Sequence, residues 1–356
     1  MSINAKGANV NQTRGLIDRY RRFLPVSEAT PIVSLGEGNT PLIYAAKLSA
    51  RIGGGCEVFI KNEGMNPTGS FKDRGMTVAV SKSMENHARA LICASTGNTS
   101  ASAAAYAAKA GIPCAVILPA GKIASGKLLQ AFVHGAKIVA IEGNFDDALL
   151  MVRQLAERGD FVVVNSINPD RIAGQKTAAF EVVDVLGDAP DFHFLPLGNA
   201  GNISAYWAGY REYQASGKST KLPAMIGIQA AGAAPVFHNR VIENPQTIAT
   251  AIRIGNPASW QQARSAIDES RGAVKIASDE EILDSQRWLA QSEGIFAEPA
   301  SAASIAGLLQ LKEVPNKSRI VCTVTGHGLK DPDAQRIGKI EATPPKIDNV
   351  LRALGF

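Results

Sequence analysis

Short apolar runs alternate along this chain with segments of helical patterning, and that alternation constrains the fold more than any other feature. Candidate strands are Glu57–Ile60, Ala90–Ala94, Cys114–Leu118, Lys137–Ile141, Phe161–Val164, Phe192–Leu197, Met225–Gln229 and Ile320–Val324. Candidate helices start at Arg74 and span Thr99–Ala110, Gly126–Val133, Asn144–Glu157, Lys176–Leu186, Asn202–Ala215, Asp279–Glu293 and Ala300–Leu311. Strands separated by helices pair in parallel, because the helix must cross over the sheet face between them. The chain is therefore expected to be α/β with parallel sheets. No internal repeat or low-complexity linker marks a boundary. At 356 residues, two domains are expected. Four strand–helix units from Ala90 to about Phe161 would make a smaller, mobile α/β domain, 76–161. It would be inserted in a larger one formed by 1–75 and 162–356.

Composition excludes several classes. Net charge is +5, from 37 basic and 32 acidic residues, and it is spread out. The densest basic cluster, Arg19-Tyr-Arg-Arg22, is too short for a nucleic-acid tract. The longest low-charge stretch, Ala90 to Ala108, carries Ser, Thr, Asn and Gly throughout, so no membrane span is expected. The N-terminus lacks the apolar run of a signal peptide. Cys56, Cys93, Cys114 and Cys322 form no C-x-x-C pair and no zinc spacing, so no metal is expected. Three of the four sit in apolar runs, which suits buried free thiols in a reducing, cytoplasmic compartment.

In open α/β sheets ligands bind beyond the carboxyl ends of the strands, so the loops after the strands are where chemistry is sought. Ser95-Thr-Gly-Asn-Thr99 follows one strand and opens a helix. It reads as an anion site of free backbone N–H groups, or as a helix start capped by Ser95 or Thr96. Gly198-Asn-Ala-Gly-Asn202 follows another strand. Two glycines and an alanine let backbone approach a ligand, so it reads as a phosphate cup or as a plain left-handed turn. It is not G-x-G-x-x-G and lacks the acidic partner of a dinucleotide site. Asn165 to Thr177 brings Ser166, Arg171 and Lys176 after a third strand, either toward an anion or in a solvated loop before a helix near Gln175. Thr323 to Asp331 is a glycine-rich strand end, but no carboxylate lies near His327 in sequence to orient it as a base. Gly121-Lys-Ile-Ala-Ser-Gly126-Lys127-Leu128 approaches a P-loop, yet Leu128 stands where a hydroxyl would bind magnesium.

Lys72 follows a turn built from Asn66, Pro67, Thr68 and Gly69, between a strand and a helix start. A lysine held on such a corner can form a Schiff base if its surroundings lower the amine pKa from about 10.4. A lysine, a phosphate cup, a second anion site and hydroxyl-rich loops together suit pyridoxal phosphate.

Asn66-Pro-Thr-Gly-Ser-Phe-Lys-Asp-Arg74 resembles the lysine motif of the fold-type II pyridoxal phosphate enzymes. Glu37-Gly-Asn-Thr-Pro-Leu42, Ser95–Thr99, Asn165–Thr177 and Thr325-Gly-His-Gly-Leu-Lys-Asp331 are similar to the threonine synthase family within that group. The resemblance runs from about Tyr20 to about Asp331. It implies a tryptophan synthase β-like architecture: two open, twisted, mainly parallel sheets flanked by helices. It implies pyridoxal 5′-phosphate as cofactor and a homodimer.

The resemblance also implies roles. Lys72 would carry the cofactor, Asn98 would meet its phenolic oxygen, and Thr325 its pyridine nitrogen. Gly198, Asn199, Ala200, Gly201 and Asn202 would bind its phosphate. Thr99, Ser166, Arg171 and Asn199 would meet a substrate phosphate, with Lys61 a weaker candidate. Ser95 and Thr96 would take the substrate carboxylate. The implied reaction turns O-phospho-L-homoserine and water into L-threonine and phosphate, with Lys72 as proton shuttle. A serine/threonine dehydratase on the same fold is the nearest alternative. A binding protein that has lost catalysis and a nucleotide hydrolase are more distant ones.

Overall fold

A computed structural model describes residues 15–120, 125–311, 313–332 and 342–355. Among them the strands are β1 (Leu42–Tyr44), β2 (Glu57–Asn62), β3 (Ala90–Ala94), β4 (Cys114–Pro119), β5 (Lys137–Ile141), β6 (Phe161–Val163), β7 (Phe192–Pro196), β8 (Ala224–Ala230), β9 (Ala273–Ala277) and β10 (Arg319–Val324). A six-stranded sheet has the order β1-β2-β10-β7-β8-β9. It is parallel except where β1 meets β2. A four-stranded sheet, β5-β4-β3-β6, is parallel throughout. The chain leaves the larger sheet after β2, completes the smaller one through β6 and returns at β7.

Both sheets are covered on both faces, which is why their central strands read as continuous apolar runs rather than alternating ones. On β10, Val321 packs with Phe180, Leu195 and Tyr206 on one side of the larger sheet, while Ile320 and Cys322 pack with Ile228 and Ile305 on the other. On β3, Leu91 and Cys93 join Val116 and Leu118, and Ile92 and Ala94 join Ile117 and Val152. Each aliphatic side chain so buried contributes about 1.5–3 kcal/mol. Ala103, Ala104, Ala105 and Ala107 of the helix Asn98–Ala110 pack in the first of these two smaller clusters, where short side chains permit close approach. All four cysteines are free and buried.

Two strands escaped the sequence reading, and both are edges of the larger sheet. β1 has three residues, too few to show a period. β9 is only partly buried along most of its length and carries Lys275, so its apolar run is broken. A third difference is larger. The helix expected from Lys176 begins at Pro169. Asn168 caps it, accepting from the Asp170 N–H at 2.9 Å, and Pro169 fits the first helical position. The helix former pattern was masked by Pro169 and Gly174.

Of the P-loop-like stretch, residues 121–124 lie outside the described residues, and Leu128 is buried in apolar packing. Among the described residues no helix is long and apolar enough to cross a membrane.

Candidate active site

The turn before Lys72 is tied from several directions. Gly69, at φ +83°, closes it by donating to the Asn66 carbonyl at 2.8 Å. That left-handed conformation suits glycine. The Phe71 N–H donates to Thr325 O and the His327 N–H to Gly69 O, each at 2.9 Å. Asp73 accepts from the Thr68 N–H and hydroxyl at 2.7 and 2.6 Å, and from Ser102 Oγ at 2.6 Å. Burial pushes the Asp73 carboxyl up to about 6, against these hydrogen bonds. Lys330 Nζ reaches Thr68 O at 3.0 Å. Lys72 then opens the helix Lys72–Glu85, with Nζ 4.2 Å from the centre of the Phe71 ring. Burial, reinforced by Arg171 and opposed by Glu298, lowers its amine to about 7.

Arg171 comes close because two helices cross without side chains between them. A Cβ on Gly174 would lie 2.0 Å from the Arg74 carbonyl oxygen. Arg171 is fully buried, with Nη1 donating to Val164 O at 3.0 Å. Its Nε and Nη2 have no partner. Burial lowers its guanidinium to about 10. A buried cation with two unused donors is expensive unless a ligand supplies the counter-charge. Lys176, on the same helix, is turned away and pairs with Glu212 at 2.6 Å.

The two strand-end loops of the smaller sheet are clamped side by side. The Asn165 amide accepts from the Ala94 N–H at 3.0 Å and donates to Ala94 O at 2.9 Å. Neither Ser95 nor Thr96 caps the next helix: Gly97 is its cap residue, with no side-chain hydrogen bond. Ser95 Oγ instead accepts from the Gly97 N–H at 3.1 Å. The first N–H groups of this helix thus lack a side-chain cap, which keeps the anion reading. Thr96 and Thr99 are partly exposed on the same loop.

In the cup, Ala200 has φ +68°, a strained conformation for a residue with a Cβ. It turns the chain into the helix Gly201–Ala215, whose start has no side-chain cap. Such a reversal points successive N–H groups at one spot. Asn199 is held by the 258–259 segment, its Oδ1 accepting from the Ala258 N–H at 3.1 Å. Asn202 Oδ1 is buried without a partner. A Cβ on Gly201 would lie 4.0 Å from Ser166 Cβ and 3.7 Å from Ser259 Oγ. Ser166 therefore borders the cup, next to the Arg171 helix.

Thr325 lies at the end of β10. Its hydroxyl is 3.0 Å from Ser301 Oγ, which also accepts from the N–H groups of Thr325 and Gly326. Asn98 Nδ2 donates to Glu298 Oε1 at 3.0 Å, leaving Asn98 Oδ1 buried and unpaired. Ser70 Oγ is also buried and unpaired. Ser70, Ser259, Glu298 and Ser301 were missed in the sequence. Only Ser70 had a visible signal, being two residues before Lys72.

Lys61 does not join this group. Its Nζ donates to Glu181 Oε2 at 2.6 Å and to Thr40 O at 2.7 Å, in a fully buried ion cluster. Arg74 completes that cluster, bonding Glu63 and Glu181 through its three nitrogens at 2.6–2.8 Å. A substrate anion would have to displace Glu181, so the expected role of Lys61 is corrected to a structural one. His327 is a local cap whose Nδ1 accepts from the Leu329 N–H at 3.2 Å.

The unpaired buried atoms on Ser70, Asn98, Arg171 and Asn202 lie on loops and helix starts. Ser70 is two residues before Lys72, Arg171 acts on its amine, and Asn98 pairs with Glu298, which also acts on it. With an amine near neutrality, a nest at Ala200 and a hydroxyl at the end of β10, they fit pyridoxal phosphate: an aldehyde partner, a phosphate cradle and ring contacts. Residues 33–326 match the family of pyridoxal-phosphate dependent enzymes. Threonine synthase of Synechocystis sp. is 57% identical over 348 residues, covering 96% of this chain and 91% of that protein. Threonine synthase of Mycobacterium tuberculosis is 58% identical over 342 residues, covering 94% of each. Among solved structures, threonine deaminase isoform 2 from Solanum lycopersicum has a TM-score of 0.71 at 21% identity, covering 91% of this chain and 86% of that one. Maize serine racemase has a TM-score of 0.71 at 22% identity, covering 82% and 88%. These last two speak for the fold, tryptophan synthase β-like with two mainly parallel sheets. The chain belongs to the pyridoxal-phosphate dependent enzymes and, within them, to the threonine synthase family.

Proposed function

We propose that this protein converts O-phospho-L-homoserine and water into L-threonine and phosphate, with pyridoxal phosphate held at Lys72. The observation that carries this reading is the buried Arg171 guanidinium beside Lys72, with Nε and Nη2 unpartnered. A phosphoryl group, at about −1.5 to −2 charges, is the kind of ligand that compensates such a site. An unphosphorylated serine or threonine, the substrate of a dehydratase, would leave it uncompensated. Relatives at 57–58% identity named threonine synthase support the same choice.

The bound cofactor would supply an electron sink for charge developing on the substrate carbons. The chain's own residues do the rest. The Lys72 amine, lowered to about 7, takes up and returns a proton near neutral pH. It is the single proton carrier proposed for Cα, Cβ and Cγ. The N–H groups and side chains of Gly198, Asn199, Ala200, Gly201 and Asn202 hold the cofactor phosphate, Asn98 its phenolic oxygen and Thr325 its ring nitrogen. Ser95 and Thr96 hold the substrate carboxylate. Thr99, Ser166 and Arg171, with Asn199, hold the substrate phosphate.

A homodimer in the cytoplasm is part of this proposal. So is a division into a larger unit, 1–75 and 162–356, and a smaller mobile one, 76–161. The two separate sheets support the division, although β6 carries the smaller sheet two residues past that boundary, to Val163. The test is to supply O-phospho-L-homoserine, L-serine and L-threonine in turn to the cofactor-loaded protein. Phosphate and threonine from the first is the expected result; keto acid and ammonia from the other two, with no phosphate release, would overturn it.

A further inference from the structure

Asn98 is an amide, and amides have two orientations of opposite hydrogen-bond polarity. What decides between them is the residue the amide faces. Here that residue is Glu298, two hundred positions away in the chain. Glu298 is 1% exposed, and its carboxylate oxygens lie 3.0 and 3.3 Å from Asn98 Nδ2. A carboxylate group accepts where an amide can do either, so the reverse orientation would set the Asn98 carbonyl against it.

The carboxylate is itself fixed. The Glu298 N–H donates to Gly326 O at 3.0 Å. Three residues on, Ser301 Oγ accepts from the Thr325 and Gly326 N–H groups at 2.9 and 2.8 Å. The start of the helix Pro299–Leu309 is thus fastened to the strand end that carries Thr325. Gly326 leaves the space the carboxylate fills: a Cβ there would lie 2.5 Å from Glu298 Oε1. The backbone of Gly326 is open to alanine in conformation, since its φ lies outside the positive region. The constraint is the carboxylate.

We propose that Glu298 is a positioning residue that holds the Asn98 amide in one of its two orientations and so decides which amide atoms are presented to the cofactor ring. This rests on the reading of Asn98 as the neighbour of the ring's phenolic oxygen. It also gives Gly326 a reason. Glu298 and Arg171 are the charged groups that act on the Lys72 amine, with opposite sign, so the same carboxylate joins the ring contact to the proton carrier.

The experiment is a pH titration of the visible absorbance of the cofactor-loaded protein, with the dissociation constant of pyridoxal phosphate measured alongside. Glu298→Gln can accept or donate toward Asn98. It is expected to shift the titration midpoint by about half a unit or more and weaken cofactor binding about tenfold. Glu298→Asp keeps an acceptor-only group and is expected to stay near the parent spectrum. Gly326→Ala pushes the carboxylate off Asn98 at unchanged charge and is expected to reproduce the loss of affinity, which covers the case in which Glu298→Gln does not fold. In an Asn98→Ala background, Glu298→Gln is expected to add little further loss of cofactor affinity, because that loss acts through the amide, while its direct charge effect on the Lys72 amine remains. A parent-like affinity for pyridoxal phosphate in both Glu298→Gln and Gly326→Ala, or a loss of affinity fully additive with Asn98→Ala, would overturn the inference while leaving the proposed function intact. A parent protein that takes up no pyridoxal phosphate would overturn both.

Discussion

A Cβ placed on Gly75 would lie 2.6 Å from the carbonyl oxygen of Arg171. The helix that begins with Lys72 and the helix that carries Arg171 therefore touch backbone to backbone, and this brings the guanidinium close enough to lower the Lys72 amine. Gly75→Ala is expected to force the helices apart. Overpacking of this kind costs about 1–3 kcal/mol. Thermal unfolding should show the loss, and KM for the phosphorylated substrate should rise as Arg171 shifts. An unchanged melting temperature and KM would mean that the crossing has room to spare.

Arg171→Ala removes the donors assigned to the substrate phosphate. Charge-assisted hydrogen bonds of this kind contribute about 1.5–3 kcal/mol, or roughly 10- to 150-fold in binding. KM for O-phospho-L-homoserine should rise by that order, while the affinity for pyridoxal phosphate changes little. Unaltered steady-state kinetics would remove Arg171 from the substrate site.

The amine of Lys72 is lowered to about 7, first by burial and then by Arg171. Only the neutral amine attacks an aldehyde. In the cofactor-free protein the rate of pyridoxal phosphate uptake should therefore rise with pH and level off above about 7. The Arg171→Ala variant should need a higher pH, because one of the influences that lower the amine is gone. The folded state binds fewer protons than the unfolded chain between that value and about 10.4, so this residue makes stability rise with pH across the window. A midpoint near 10 for cofactor uptake would refute the assignment of a perturbed lysine.

Lys61 and Arg74 separate structure from substrate binding. Arg74→Ala would leave Glu63 and Glu181 buried with much of their counter-charge gone, at a cost of about 3–5 kcal/mol. Lys61→Met leaves Glu181 paired with Arg74, so a smaller loss in thermal stability is expected and no change in KM. Arg74 and Lys61 hold the Glu181 carboxyl well below the usual range, against burial, which would raise it. Its contribution is thus present above the unfolded carboxyl value of about 4.3 and is lost as pH falls below it. Acid unfolding followed by circular dichroism checks the direction. A KM shift in Lys61→Met would return that residue to the substrate site.

Local pattern was enough to find the central strands, the corner that carries Lys72 and the loops at the strand ends. Those features depend on residues close in sequence: an apolar run, a Pro-Thr-Gly turn, two glycines in five. Edge strands β1 and β9 were not legible, since half-buried strands need no apolar run. The start of the Arg171 helix was hidden because Pro169 and Gly174 look like breakers until the cap at Asn168 and the crossing with Gly75 are known. Glu298 and Ser301 were silent because their partners, Asn98 and Thr325, are brought to them only by the tertiary fold. Lys61 misled for the same reason: its partner Glu181 is on a helix 120 positions away.

The central claim is that Lys72 and its surroundings release phosphate from a phosphorylated amino acid and build threonine from what remains. The most direct measurement is the yield of phosphate and of threonine from O-phospho-L-homoserine, for the parent protein and for Lys72→Ala, both supplied with pyridoxal phosphate. The account predicts one threonine for each phosphate from the parent protein and neither from Lys72→Ala. A cofactor-loaded parent protein that releases no phosphate, or a Lys72→Ala variant that still makes threonine, would contradict it.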